Sequence, residues 1–490
     1  MALRWLKFAA LAIAISVLAV LVFRAWESQR GPPLDLWHTY LPHDAGAAEI
    51  DRMDWPQYVA AENLLFDEVR REVTEKLSAA ARTPGNRYFD GSPVYPGKFS
   101  QDWNRSFILE PEGTPAGAVV LLHGLTDSPY SLRHIGKLYR DRGYLAVGIR
   151  LPGHGTVPGG LSRVAWEDWS AATRLAVREA RRRIGPARPL HLVGYSNGGA
   201  LAMKYALDAL DGTALSRPDR VVLLSPMIGV TSLARFAGIV GWPAVFPSFA
   251  KAAWLDIVPE FNPFKYNSFP VNAARQSSLV SRSLQRQIAD RAQDGRLAEL
   301  PPVLTFQSAV DSTVSTRAVV TALYTQLPAN GSELVLFDLN RNASIGPLLR
   351  ASADTVLSRI LPAPPRKYRV SIITNINPQT EVAEERVTEA GASNDRSRAL
   401  GLAFPREVFS LSHLAVPFPL TDSLYGLRPD ENDGNFGVNL GALAPRGERG
   451  TLIVSLDTLG RMTSNPFYSY MSERIDECIG ARRANVLPPP

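Results

Sequence analysis

Five short runs, GAVVLLHG, YLAVGIR, LHLVGYS, RVVLLSP and PVLTFQSAVD, are apolar almost throughout and rich in β-branched residues. A strand with one wet face alternates apolar with polar side chains. A run without that alternation suits a strand covered on both faces, the usual state of a parallel sheet. Between most of these runs stand segments with apolar residues at helical spacing: SLRHIGKLYRDRG, WEDWSAATRLAVREARRRIG and ALAMKYALDALDG. Strands alternating with helices build βαβ units, so the chain is expected to form an α/β fold around a mostly parallel, doubly wound sheet.

Where the third run meets the third helical segment the sequence reads VGYSNGGA, and Gly194-Tyr195-Ser196-Asn197-Gly198 fits G-x-S-x-G. Alone the pattern is common. Between a strand and a helix expected from Ala200 to Leu210, it is the turn that lifts a serine hydroxyl out of the end of a sheet. Gly194 and Gly198 flank it because side chains two residues either side of the serine would collide in so tight a turn.

A serine hydroxyl needs a base to take its proton and a third group to orient that base. On such a scaffold the order is serine, acid, histidine. Of seven histidines only His413 follows Ser196, at the end of the β-like run EVFSLSH. Asp311, just past PVLTFQSAV, is the preferred acid, and Asp338 in LVLFDLN is its competitor. Two N–H donors must face the developing oxyanion. The backbone of Asn197 is one candidate, and that of Leu125, in LLHGLTDSP, is the other. His123 and His154 read as loop-holding residues.

HGLTDSPYSLR, RLPGHGT, GYSNGG, the aspartate of VDSTVS and the histidine of SLSHLAVPF together resemble the α/β-hydrolase superfamily, in its bacterial carboxylesterase and monoacylglycerol-lipase-like branch, over about residues 100–430. The resemblance implies nucleophile Ser196, acid Asp311, base His413, oxyanion donors Leu125 and Asn197, and no metal or organic cofactor. No H-E-x-x-H or Cys/His ligand set is found in the sequence. The implied activity is serine hydrolysis of carboxylic esters, lipid or glyceride esters among them, through an acyl-enzyme. The alternatives are a serine peptidase or amidase, with Glu260 or Asp256 as the site for an amine, and a non-catalytic membrane-anchored scaffold.

About a hundred residues separate Asp311 from His413, which marks an insertion at about 341–405, where RKYRVSIITNINPQTEVAEERV supplies extra strands. Some seventy-five residues between Pro226 and Pro302 exceed a plain connection, and nine aromatics crowd residues 231–270. These features place a lid at 231–300 and favour a hydrophobic small-molecule ester as substrate. Within that lid, SSLVSRSLQRQIADRA has helical spacing and is expected to pack back on the sheet. The core then divides into 100–230 and 301–430, with a C-terminal extension at 431–490 read as a strand (LIVSLDTLG) and a final helix.

The N-terminus, Phe8 to Phe23, is sixteen residues without a charge, flanked by Arg4, Lys7 and Arg24 and by Trp5 and Trp26. No small-x-small cleavage site follows, so residues 1–27 are expected to be an uncleaved signal anchor in a bacterial inner membrane, the catalytic domain facing the periplasm. Secretion after cleavage is the alternative. Residues 28–99 are expected to hold a linker (28–57) and one amphipathic helix, Tyr58 to Ala81. The net charge of +6 is small for 490 residues, and Arg178, Arg181, Arg182 and Arg183 fit a solvated helix face, so no nucleic-acid partner is expected. The one cysteine, Cys478, excludes an intramolecular disulfide and reads as a small buried hydrophobe. Oligomeric state is left open.

Overall fold

The computed structural model describes residues 2–28, 30–212, 214–229, 244, 247–342, 355–405, 408–442 and 463–480. The five apolar runs form β2 (Gly117–Leu122), β3 (Tyr144–Ile149), β4 (Leu190–Tyr195), β5 (Arg220–Leu224) and β6 (Val303–Ser308). They are joined by β1 (Phe107–Leu109), β7 (Glu333–Phe337), β8 (Arg369–Asn375), β9 (Val382–Thr388) and β10 (Asp395–Ala403). The order across the sheet is β1-β3-β2-β4-β5-β6-β7-β8-β9-β10. From β3 to β8 every pairing is parallel, and the two flanks, β1 on β3 and β9 and β10 beyond β8, are antiparallel. The strands at 369–403 lie in the insertion between Asp311 and His413, so that insertion widens the sheet; its residues 343–354 lie outside the described residues.

Both faces of the sheet are covered, which is why its strands carry no polar stripe. Along β2, Ala118, Val120 and Leu122 join one core cluster while Val119 and Leu121 join the other, the period of two that a strand imposes. The first core lies under α4 (Trp166–Ile184), α5 (Asn197–Asp208) and α6 (Val271–Gln293). The second lies under α3 (Arg133–Asp141) and α7 (Tyr468–Gly480).

One boundary of the expected lid is corrected here. Residues 271–293 are not lid: Ala273, Val280, Leu284 and Ile288 of α6 are buried in the first core, so the helix is the crossover between β5 and β6. Phe236, Trp242 and Phe246 of the aromatic stretch lie outside the described residues. The final helix expected in the C-terminal extension is α7, and its Tyr470, Met471, Ile475 and Ile479 close the second core; the strand expected at LIVSLDTLG lies outside the described residues. Cys478 is half-buried against that core.

Nor is 28–57 a free linker. It contains short helices Leu36–Thr39 and Ala47–Ile50, and its side chains are spent on the core domain. Trp37 stacks on Tyr88 at 5.4 Å, and the Asp44 carboxylate accepts two bonds from Arg150, at 2.8 and 2.9 Å, and one from the Gly153 N–H at 2.7 Å. The helix expected at 58–81 is shorter. α2 (Trp55–Val69) starts at an Asp54 cap that accepts the Gln57 N–H at 2.9 Å. It then widens into a five-residue turn at Arg70–Thr74, which turns Val73 and Leu77 inward while Leu64 stays exposed.

Within α1 (Ala2–Ser28) the stretch Arg4–Glu27 holds an 18-residue window of mean hydropathy 2.6 with none of it buried, long and apolar enough to cross a bilayer.

Candidate active site

Ser196 sits between the last residue of β4 and the first of α5, with φ 54° and ψ −115°. Few side chains tolerate that left-handed backbone, and holding one there costs on the order of 1–3 kcal/mol. The surroundings over-determine it. The Ser196 N–H donates to Leu224 O at 2.9 Å, and its carbonyl accepts the N–H groups of Met227 (2.9 Å) and Gly199 (3.0 Å). A Cβ on Gly194 would stand 2.3 Å from Gly198 O, and one on Gly198 would stand 1.9 Å from Leu122 O, so both positions require glycine. The helix starts at Asn197, not at Ala200 as expected, because Gly198 and Gly199 pack against neighbouring backbone and the chain turns helical at once. As the first helical residue, Asn197 has an N–H with no acceptor inside the helix.

His413 lies against the serine. Its Nε2 is 3.0 Å from Ser196 Oγ, and its Nδ1 is 2.8 Å from Asp311 Oδ2. Asp311 is just beyond β6. Its Oδ1 accepts from the N–H groups of Thr313 (2.8 Å) and Val314 (3.0 Å), and its Oδ2 from Gln307 Nε2 (3.0 Å). Burial alone would raise this carboxyl. The facing imidazole and the two backbone donors outweigh it, and Asp311 sits below the ordinary carboxylate value. Asp338, the competitor, is turned elsewhere: it pairs with Arg341 at 2.6 Å and accepts from Thr374 Oγ1 at 3.0 Å. Gln307 is a member of this cluster that the sequence did not announce; a lone amide inside FQS is its sole trace.

Among the described residues, the run before His413 expected to be a strand is not one. Val408 to Ser412 form an irregular stretch, held because Asn340 donates from its N–H to Phe409 O (2.8 Å) and from Nδ2 to Val408 O (3.0 Å); residues 406 and 407 lie outside the described residues. Phe409 remains exposed on this stretch.

The loop after β2 closes over the serine. An added Cβ on Gly124 would come within 3.3 Å of Ser196 Cβ. Leu125 follows, and Thr126, with φ 62°, accepts the Tyr266 N–H at 2.7 Å. His123 Nε2 accepts the Leu151 N–H at 3.0 Å and its Nδ1 donates to Gly124 O at 2.9 Å, a pattern that uses a neutral ring. Burial holds its pKa well below the ordinary histidine value. His154, likewise buried, is pushed down to about 4. Of the two carboxylates considered for an amine, Glu260 is buried and occupied by the N–H groups of Asn267 and Ser268, while Asp256 is exposed. Ser196 itself is 5% exposed.

Asp127, two residues past Leu125, is buried, with Oδ2 unpartnered among the described residues. Burial pushes its carboxyl up to about 6, against the pull of Lys265 and of the hydroxyl and N–H groups that face it. The folded chain therefore holds this proton between pH 4 and 6, where the unfolded chain has released it. The associated stability is complete below pH 4 and lost as pH rises to 6. Asp127→Asn is expected to gain on the parent by roughly 3 kcal/mol between pH 4 and pH 8, since a tenfold difference in proton affinity is worth about 1.4 kcal/mol. Unfolding titrations of both proteins at the two pH values check this; a pH-independent difference refutes it.

A profile of the alpha/beta hydrolase family matches residues 119–370. A thermostable monoacylglycerol lipase from Bacillus sp. (strain H-257) is 33% identical over 147 residues, which are 29% of this chain and 57% of that protein; the chain thus spans little more than half of this curated relative's length. Among solved structures, a metagenome-derived lipolytic enzyme of the LipS and LipT study aligns at TM-score 0.39 and 21% identity, over 48% of this chain and 88% of its own. A monoacylglycerol lipase from Paleococcus ferrophilus aligns at TM-score 0.35 and 18% identity, over 52% and 99%. With more than half of its residues inside the family match, the chain belongs to the alpha/beta hydrolase family.

Proposed function

We propose that the protein is a serine hydrolase of carboxylic esters, and that Ser196, His413 and Asp311 are its catalytic triad. The carrying observation is one imidazole bonded on one side to a strained serine hydroxyl (3.0 Å) and on the other to a carboxylate (2.8 Å). In this reading His413 Nε2 takes the hydroxyl proton as Ser196 Oγ attacks the ester carbonyl carbon. Asp311 accepts the Nδ1 proton and stabilises the imidazolium. The N–H groups of Leu125 and Asn197 receive the tetrahedral oxyanion, the second aided by the positive end of α5. Collapse expels the alcohol with a proton from His413. A water deprotonated by the same imidazole then releases the acid from Ser196.

Esters suit this machinery because an alcohol leaves with little help from a general acid, whereas an amide nitrogen must be protonated before the C–N bond breaks. The amidase reading loses its support at Glu260, whose carboxylate is already filled by two backbone donors. Residues 247–270 belong to the lid in this proposal, and the nine aromatics of the sequence 231–270 favour an acyl substrate. α1 is the membrane anchor, with the catalytic domain on the periplasmic side.

Labelling the full-length chain in detergent with a fluorophosphonate, followed by peptide mass mapping, tests the assignment. The expected adduct is on Ser196, with turnover of p-nitrophenyl esters and none of the matching anilides. An unlabelled Ser196 peptide, or anilides cleaved as fast as esters, sinks it.

A further inference from the structure

The end of α1 is docked on residues 251–268, the segment that meets the loop after β2. Arg24 Nη2 donates to Trp254 O at 3.0 Å while the same guanidinium pairs with Glu27. Lys251 Nζ donates to Gly31 O at 3.3 Å. His38, seven residues on, sets its ring edge-on against Trp254 with centroids 4.9 Å apart, and its Nε2 lies 3.0 Å from Ser268 Oγ. The Arg30 guanidinium covers the Trp26 ring at 3.6 Å. Residues 24–38 are therefore a strap fastened to residues 251–268.

That segment is also fastened to the catalytic loop. Trp254 pairs with Pro270 in a two-stranded ribbon, Trp254–Asp256 with Phe269–Pro270, and four residues earlier the Tyr266 N–H donates to Thr126 O at 2.7 Å, next to Leu125. Four residues of chain reach at most about 14 Å, and a paired strand lies about 5 Å away. The Arg24 guanidinium at the end of α1 is then no more than about 25 Å from the Thr126 carbonyl. The contacts of Arg24, Gly31 and His38 with residues 251–268 hold this face toward the bilayer that α1 would enter. Leu255 is 41% exposed beside the docking point, and Arg24, Arg30, Lys251 and Trp26 are side chains suited to the headgroup layer.

We propose that the strap 24–38 and residues 247–270 form one interfacial unit that seats the active-site mouth on the membrane surface, so that the ester enters from the bilayer itself. The inference rests on the ester-hydrolase reading above and adds the source of the substrate to it. A substrate taken from the bilayer keeps its acyl chain in lipid until it enters the site.

The test uses the full-length chain in phosphatidylcholine vesicles, assayed against a monoacylglycerol embedded in the bilayer and against water-soluble p-nitrophenyl butyrate. The uncoupled variant carries Arg24→Ala, Lys251→Ala and a flexible Gly/Ser insertion after Gly31. It is expected to lose about tenfold or more on the embedded ester and to keep the soluble activity within about twofold. Equal effects on both esters, or none on either, overturn the proposal. A parent inactive on both would instead sink the ester-hydrolase reading. An independent readout is a fluorophore on Leu255→Cys in a Cys478→Ser background, with α1 intact. Quenching by brominated lipid is expected, and its absence overturns the proposal even where the uncoupled variant misfolds.

Discussion

Ser196→Ala and His413→Ala each lower kcat on a p-nitrophenyl ester by about 10⁴-fold or more, and the double variant loses no more than the worse single. The equality follows from the geometry. The hydroxyl and the imidazole share one proton across 3.0 Å, and either alone has nothing to exchange it with. Asp311→Asn is expected to cost less, about 10²- to 10⁴-fold. It keeps an oxygen for the Thr313 and Val314 N–H groups but sets an amide against His413 Nδ1 and so selects the wrong tautomer. None of the three substitutions opens a cavity in either core, so unfolding midpoints should stay near the parent's. Steady-state kinetics on the four proteins decides. If the double variant falls well below both singles, the residues act separately and the triad assignment is wrong.

Much of the parallel sheet is legible in advance because strands covered on both faces must be apolar throughout, as Val119 to Leu122 are. Ser196 is legible for a local reason: the turn around it forbids any Cβ at 194 and 198, and glycine there leaves a mark in the sequence. His413 is reached by elimination, but its setting is not, because EVFSLS alternates like a strand. What decides that stretch is Asn340, some seventy residues earlier, which takes its backbone out of strand pairing. The same holds for the apparent linker, tied down by Arg150, and for α6, whose core-facing stripe at 273–288 resembles that of any amphipathic lid helix. Contacts between distant segments obey no local period, so neither propensity nor spacing announces them.

The largest stability effect is expected at another such contact. Arg133 and Asp422, 289 residues apart, are both without exposure and meet at 2.7 Å. Arg133 also reaches Asp433 at 2.6 Å, and its guanidinium lies over the Tyr130 ring at 3.8 Å. Asp422 further accepts from the N–H groups of Leu424 (2.9 Å) and Tyr425 (2.7 Å), and its Oδ2 lies 3.0 Å from His134 Nε2. Burial would raise this carboxyl, but Arg133, His134 and the backbone donors together hold it far below the carboxylate range. Asp422→Ala leaves Arg133 only its Asp433 partner and takes the acceptor from the Arg133 Nη1, the Tyr130 hydroxyl and two backbone N–H groups, all buried, and should cost about 3–5 kcal/mol at pH 7. Because the folded pKa is depressed, the pair's contribution is present above the unfolded value near 4 and fades as pH falls below it, so the deficit should shrink in acid. Arg133→Met with Asp422→Leu removes both charges and should recover much of the loss, as apolar replacements of buried pairs do. The pair clamps the segment that runs on from His413 onto α3, so the recovered double variant should still show about tenfold lower kcat with KM little changed. A double variant with parental kcat would make the clamp a matter of stability alone.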